Sequence, residues 1–207
     1  GPGGHSFGAF GLPSAIHAMG RAIAYIAELQ TPRFPRTTFT VGTVTGGTSV
    51  NSIAADATFA IDMRSNNSES LAIFERQAKQ AALTAVLEEN SRWGSDAISV
   101  KFKLIGDRPV GSTSVESPIV QVAAGAYAKL GVDIGGITIS STDSNVPMAL
   151  GIPAITISGG GDGGGAHSPA EWFKPVNSHL GPQAVLINIL TLVGISGVST
   201  PVLADDF

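Results

Sequence analysis

Two isolated imidazoles sit in glycine-rich surroundings near opposite ends of this 207-residue chain. His167 lies in the run Gly164-Gly165-Ala166-His167-Ser168-Pro169-Ala170-Glu171-Trp172-Phe173, and His5 in Gly1-Pro2-Gly3-Gly4-His5-Ser6. A neutral imidazole can ligate zinc, relay a proton or donate a hydrogen bond to a developing negative charge. Glycines let the backbone carry it close to its target. Strand ends that deliver a histidine through flexible backbone are where α/β enzymes place such groups. Neither histidine has a metal-ligand partner nearby in sequence. Glu171, four residues after His167, is placed either to orient the imidazole from behind or to cap or pair on the surface.

Other tempting features carry less chemistry. Glu88-Glu89 ends an amphipathic segment and reads as a solvated helix face. Gly159–Gly165 suggests a phosphate cradle, but no Gly-Lys-Ser/Thr follows. His17 and His179 fall within or beside helical segments and read as packing or surface residues. Ser6 and Ser168 adjoin histidines, yet no Gly-x-Ser-x-Gly elbow is present, so a serine-hydrolase triad is not indicated. Asp143 lies in a Ser-Thr-Asp loop that either borders a pocket or forms an Asx-type turn.

The elements that must hold these residues follow from periodicity. Ile16, Met19, Ile23 and Ile26 fall at helical spacing between Leu12 and Gln30, with Pro13 suited to the first turn and Thr31-Pro32 as a stop. Thr37–Val44 and Ala57–Met63 are rich in β-branched residues and predict two strands, with Gly46-Gly47 between them. Leu71, Phe74, Ala78, Ala82 and Val86 predict a second amphipathic helix ending near Glu89. Ile98–Ile105 alternates apolar and polar residues and predicts a half-buried strand. With the opening Gly-His-Ser segment extended, residues 1–107 read strand, helix, strand, strand, helix, strand. That is the split βαβ, ferredoxin-like order, with both helices on one sheet face and the other face needing cover or a partner.

After Gly106 the pattern changes. Pro118–Leu130 predicts a helix stopped by Gly131, Ile137–Ile139 a short strand and Val146–Leu150 a short helix. Ile152–Ser158 predicts a buried strand, and His179–Val193 a long apolar helix. Alternating helices and short apolar strands suit a doubly wound sheet. Arg-Pro and Gly-Ser-Thr-Ser punctuate residues 107–113, where the boundary is placed. No internal repeat is evident.

Composition bounds the function. Hydrophobic residues make up 43 % and charged residues 14 %, so a substantial core is expected and wholesale disorder is not. The net charge is −4 with Lys and Arg scattered singly, which argues against a nucleic-acid surface. There is no cysteine, so any metal is held by histidine and carboxylate, a donor set that suits zinc, manganese or cobalt. The first residues lack the basic start and apolar run of a signal peptide, and a cytoplasmic location is expected. The most apolar stretch, Val185–Val198, is shorter than the roughly 20 residues of a membrane span, and a buried helix is expected.

Six short motifs, in this order, resemble the M20 family of dinuclear zinc peptidases and amide hydrolases. They are Gly3-Gly4-His5-Ser6, the Pro13-Ser14-Ala15-Ile16 helix start, Gly46-Gly47 through Val50-Asn51-Ser52-Ile53, and Ala60-Ile61-Asp62-Met63-Arg64-Ser65. The last two are Ser141-Thr142-Asp143-Ser144-Asn145 with Gly151-Ile152-Pro153, and Gly165-Ala166-His167-Ser168 with Glu171. They span nearly the whole chain, and the Gly-Gly-Ala-His and Asp-Met-Arg-Ser forms are most similar to the peptidase-T-like branch. The resemblance implies a ferredoxin-like βαββαβ lid over residues 1–110, inserted in an α/β catalytic domain and pairing into a homodimer. Residues 111–207 would be the C-terminal part of that doubly wound catalytic domain. The family's His-x-Asp pair, bridging Asp, Glu-Glu pair and further carboxylate ligand precede the lid and are not in this sequence. The chain therefore reads as a piece of something longer.

The roles implied are His167 as a metal ligand and His5 as a donor to the substrate carbonyl oxygen in the partner subunit's site. Arg64 and Asn51 would bind substrate, Arg64 gripping a carboxylate bidentately and Asn51 giving a directional amide bond. Their plainer readings are a solvated strand end and a turn asparagine, and Ile53-Ala54 replaces the family's usual Ile-Pro. The cofactor implied is zinc, two per full-length subunit, with manganese or cobalt as alternatives. The substrate implied is a small peptide or N-acyl amino acid, with no nucleic acid or membrane partner. Two bridged zincs would activate a shared water, with a glutamate outside this chain as base. The rival reading is a dimerisation and interaction module, catalytically inert as the isolated fragment.

Overall fold

The computed structural model describes residues 1–203, which divide into two compact units, Gly1–Gly106 and the residues from Asp107 onward. The first unit begins with a short strand, β1 (Gly4–His5). The Pro13-Ser14 start then yields α1 (Ala15–Ala27), and a long hairpin strand, β2 (Thr37–Gly46), follows. A second short strand, β3 (Ser52–Ile53), leads into β4 (Ala57–Ser65), and the unit's second helix is α2 (Ser68–Arg92). β2 and β4 pair antiparallel from Thr37↔Ser65 to Gly46↔Ala57, with one irregularity between Val41 and Thr43. β1 pairs antiparallel with β3. Gly47 closes the turn after β2 at φ 72°, a left-handed conformation that glycine adopts without cost.

The two helices meet through alanine. Ala18, Ala22 and Ile26 are the buried face of α1; Phe74, Ala78, Ala82, Ala85 and Glu89 form that of α2. Small residues let the helices approach closely, so the larger Ile16 is pushed to the exposed flank rather than into the core. Beneath them Phe39, Val41, Phe59, Ile61 and Met63 pack against Ile26, Phe74 and Ala78, and the Phe39 and Phe74 rings stack at 4.6 Å. Asn67 caps α2, its side-chain oxygen accepting from the Ser70 amide at 2.8 Å. The sheet face turned away from the helices carries Thr38, Thr40, Thr58, Asp62 and Arg64, all exposed. That face is polar, as antiparallel sheets with one wet side are, and needs no apolar cover.

The closing strand expected at Ile98–Ile105 forms no ladder. Asn90, at the end of α2, takes its place: its side-chain amide donates to the Ile98 carbonyl at 2.9 Å and accepts from the Ile98 amide at 3.1 Å. Both backbone groups of Ile98 are thereby spent. The alternation survives inward, with Ile98 buried and Val100 against the Ala22–Ala82–Ala85 cluster.

The second unit contains α3 (Pro118–Lys129), a short α4 (Asn145–Ala149), a hairpin of β5 (Asp162–Gly164) and β6 (Trp172–Lys174), and α5 (Leu180–Val193). α3 packs on α5 through Ala123, Ala126, Tyr127 and Ala184. The strands expected at Ile137–Ile139 and Ile152–Ser158 are not formed, and the latter is not buried; Ile137, Ile139 and Ile152 are exposed. A strand needs a neighbour to satisfy its backbone, and no ladder reaches these segments among the described residues. Side chains stand in: Thr113 Oγ1 donates to the Ala154 carbonyl at 2.6 Å, and Tyr127 Oη to that of Ser158 at 3.1 Å. Among the described residues, no helix is long and apolar enough to cross a membrane.

Candidate functional site

His5 is held by its own following turn. Its Nδ1 accepts from the amide N–H groups of Phe7 and Gly8, both at 3.2 Å. An imidazole nitrogen that accepts carries no proton, so in the neutral ring the proton sits on Nε2. The exposed side chain therefore offers Nε2–H outward as a fixed donor. The chain folds this way because β1 is tied to β3, and the Ser6 amide donates to the Asn51 carbonyl at 2.9 Å just beyond that ladder.

This tie brings His5 and Asn51 together at the β1–β3 ladder, and β3 ends four residues before β4 begins at Ala57. The Asn51 side chain is exposed, with Oδ1 accepting from Ser49 Oγ at 2.9 Å. Arg64 is elsewhere. It lies seven residues along β4 from Ala57, and at about 3.3 Å per residue that is roughly 23 Å towards the opposite end. Its Nε donates to Asp62 Oδ2 at 2.7 Å on the polar sheet face, leaving the terminal nitrogens of the fork free. His5 and Asn51 are one cluster, and Arg64 is another.

In the second unit His167 is exposed and has φ 63°, a left-handed conformation that strains a residue with a Cβ. A tight turn imposes it. The Ser168 amide and hydroxyl both donate to the Gly165 carbonyl, at 3.0 and 2.7 Å, and the Glu171 amide donates to the Ser168 carbonyl at 3.0 Å. Gly165 itself has φ 67°, where a Cβ would meet the Ala170 backbone at 2.7 Å. Glu171 acts on the main chain: its Oε2 accepts from the His167 amide at 3.3 Å. It braces the turn rather than the imidazole. Beside the turn lies an open hollow lined by Gly163–Ala166, Glu171, Trp172 and Phe173.

Among the described residues, no three His, Cys, Asp or Glu side chains come together to hold a metal. Zinc takes about four ligands, so His167 fits as one imidazole donor but makes no zinc site with its neighbours.

Two expectations about single residues change. Glu89 is fully buried, not solvated. It accepts from the Ser14 amide (3.2 Å), Arg21 Nη2 (3.3 Å) and Trp93 Nε1 (3.1 Å), and His17 Nδ1 is 3.4 Å away. Burial pushes its pKa up, but the Ser14 amide, Trp93, Arg21 and His17 outweigh that and hold it below the ordinary glutamate value. His17 is thus a partner of this carboxylate. Asp143 is exposed and pairs with Arg108 at 2.9 Å, while the loop is tied by the Asn145 side chain, which accepts from the Thr142 amide at 2.9 Å.

With this geometry in place, a family model described as "Peptidase dimerisation domain" matches residues 1–90. Those residues are similar to the dimerisation domain of M20 peptidases. Solved structures extend the likeness of fold past that domain. A tripeptidase from Staphylococcus aureus is 20 % identical with a TM-score of 0.62, and aminopeptidase PepT from Bacillus cereus is 23 % identical with a TM-score of 0.55. Each comparison covers 90 % of this chain but 48 % of the solved chain, so the sequence spans about half the length of either. Comparison with curated proteins gives no match.

Sequence reasoning missed two features of the dimerisation domain. The Phe7 and Gly8 amides that orient His5 carry no side-chain signal. Glu89, by contrast, continues the spacing Phe74, Ala78, Ala82, Ala85 by one further step of four, so its burial was open to reading from the stripe.

Proposed function

We propose that the chain is part of a metal-dependent hydrolase that cleaves an amide or peptide bond in a small peptide or N-acyl amino acid. Residues 1–110 are the lid through which two copies pair, and residues 111–207 the C-terminal part of the catalytic domain. His5 acts in the site of a second copy. Its Nε2–H donates to the substrate carbonyl oxygen and strengthens that bond as the oxygen gains negative charge, a contribution of about 3 kcal/mol for one such donor. Asn51, tied to the same ladder, holds the peptide beside it. Arg64 grips a carboxylate, and its place on β4, well along the strand from Ala57, supports its serving a different site from the one His5 serves. His167 supplies one imidazole to a metal centre whose other ligands the described residues do not provide.

The observation that carries this reading is the pair of amides on His5 Nδ1, which leaves Nε2–H as the outward donor. The dimerisation-domain match and the peptidase folds support it, and the tripeptidase and aminopeptidase names put short peptides first among substrates to test. In the full-length protein, His5→Ala is expected to lower kcat by about a hundredfold with metal content unchanged. An unchanged kcat removes His5 from the site. A second reading, an inert dimerisation module, applies to the 207-residue polypeptide alone and is favoured by the lack of a metal-holding cluster among its described residues. That polypeptide is expected to retain no stoichiometric zinc after dialysis, as read by elemental analysis.

A further inference from the structure

The loop that carries His5 is gripped at both ends. At its start β1 is laced to β3. At its finish the Ser14 amide donates to Glu89 Oε1 at 3.2 Å and the Ala15 amide to the Ala54 carbonyl at 3.0 Å. Between these anchors the chain winds through turns closed by its own backbone. The Ala9 amide donates to the His5 carbonyl at 2.9 Å, that of Phe10 to Phe7 at 3.3 Å and that of Leu12 to Ala9 at 3.2 Å. Bonds inside a loop shape it but do not fix its tilt; contacts outside it do. Here the Phe10 ring meets the Trp93 ring edge to face at 5.4 Å. Trp93 is held in turn by Glu89, whose Oε1 accepts from the indole Nε1 at 3.1 Å as well as from the Ser14 amide. One buried oxygen thus anchors the end of the loop directly and its middle through an indole.

Stability alone does not account for that oxygen. A well-packed apolar side chain in the place of Glu89 would hold the two helices as well or better, but it would accept from neither donor. We propose that Glu89 and Trp93 are positioning residues for His5, fixing through Ser14 and Phe10 the turn whose Phe7 and Gly8 amides hold the imidazole in its Nε2–H form. This rests on the reading of His5 as donor to the substrate carbonyl oxygen. Phe7 and Gly8 lie three and two residues before Phe10, so a tilt of the loop at Phe10 reaches them at once. A shift of roughly 1 Å takes both Nδ1 contacts past hydrogen-bond range, frees the ring to carry its proton on either nitrogen and turns the donor off its line. Glu89 and Trp93 act on His5 alone and are not asked to touch substrate.

The test uses the full-length protein with isotope-labelled histidine, read by nitrogen NMR, together with kcat and KM on a short peptide. Trp93→Phe removes the indole donor and keeps a ring beside Phe10. Phe10→Leu removes the edge-to-face partner at a position that is 78 % exposed, where the fold has little to lose. Each is expected to lower kcat about tenfold with KM within about twofold. The His5 nitrogen signals, assigned by their loss in His5→Ala, are expected to move from the single Nε2–H form to a mixture of tautomers. Phe10→Tyr keeps the ring pair and restores both wild-type readings. Wild-type kcat in Trp93→Phe and Phe10→Leu overturns the proposal. A fall in kcat with the His5 signals unmoved overturns it too, as does an equal fall in Phe10→Tyr. His5→Ala separates the two levels: full kcat there removes the underlying reading and this proposal with it, whereas a lost kcat beside unaltered Trp93→Phe and Phe10→Leu removes only the positioning.

Discussion

Glu89 places an ionised carboxylate inside the dimerisation domain, where only its four partners make the charge tolerable. Because its pKa is lowered on folding, its contribution is present above the unfolded value and is lost as pH falls through the folded one. Thermal unfolding followed by circular dichroism from pH 7 down to pH 3 is expected to show Tm falling on the acid side of the ordinary glutamate range, about 4.3. Glu89→Gln flattens that acid limb, and Glu89→Ala costs about 3 kcal/mol at pH 7. His167 stores strain of the opposite use. His167→Gly removes the Cβ from a left-handed turn and is expected to raise stability by about 1 kcal/mol in urea unfolding, while abolishing activity of the full-length protein. The residue types at these positions are visible in the sequence, but their states are not. Nothing in Glu88-Glu89 distinguishes the buried member until the α2 stripe is counted through Ala85, and positive φ at a histidine has no sequence mark.

At the scale of elements, the long periodic segments are readable directly: α1, α2, α3, α5 and the β2–β4 hairpin fall within a few residues of where spacing and β-branched runs put them. Short apolar runs are not, because a strand is a relation between two segments. Ile98–Ile105 has a strand's alternation, yet Asn90 captures the backbone of Ile98 before a ladder can form. Ile137–Ile139 and Ile152–Ser158 meet the same limit. The Asn90 clamp gives a prediction of its own. Asn90→Ala leaves two buried backbone groups unpaired and is expected to cost about 2 kcal/mol, with hydrogen exchange at the Ile98 amide accelerating far more than exchange within α1. Equal protection in the variant would mean that packing of Ile98, rather than the amide pair, fixes the segment. The His5 turn depends on the same economy of backbone bonds, with β1, β3 and the Ser6–Asn51 contact holding two candidate groups that lie 46 residues apart in sequence.

For the whole molecule, the separation of the His5–Asn51 cluster from Arg64 along β4 supports the proposed reading, in which one copy serves two sites and two copies complete each. A second copy is also what the dimerisation-domain match supports. The most direct measurement is subunit complementation in the full-length protein. His5→Ala and His167→Ala homodimers are each expected to be inactive on a short peptide. Once mixed and exchanged, half of the dimers are hybrids, and each hybrid pairs an intact His167 with its partner's intact His5 at one of two sites. The account predicts recovery to about a quarter of the wild-type rate. Exchange into hybrid dimers with no recovered activity would contradict it, because His5 would then serve the site of its own subunit or none.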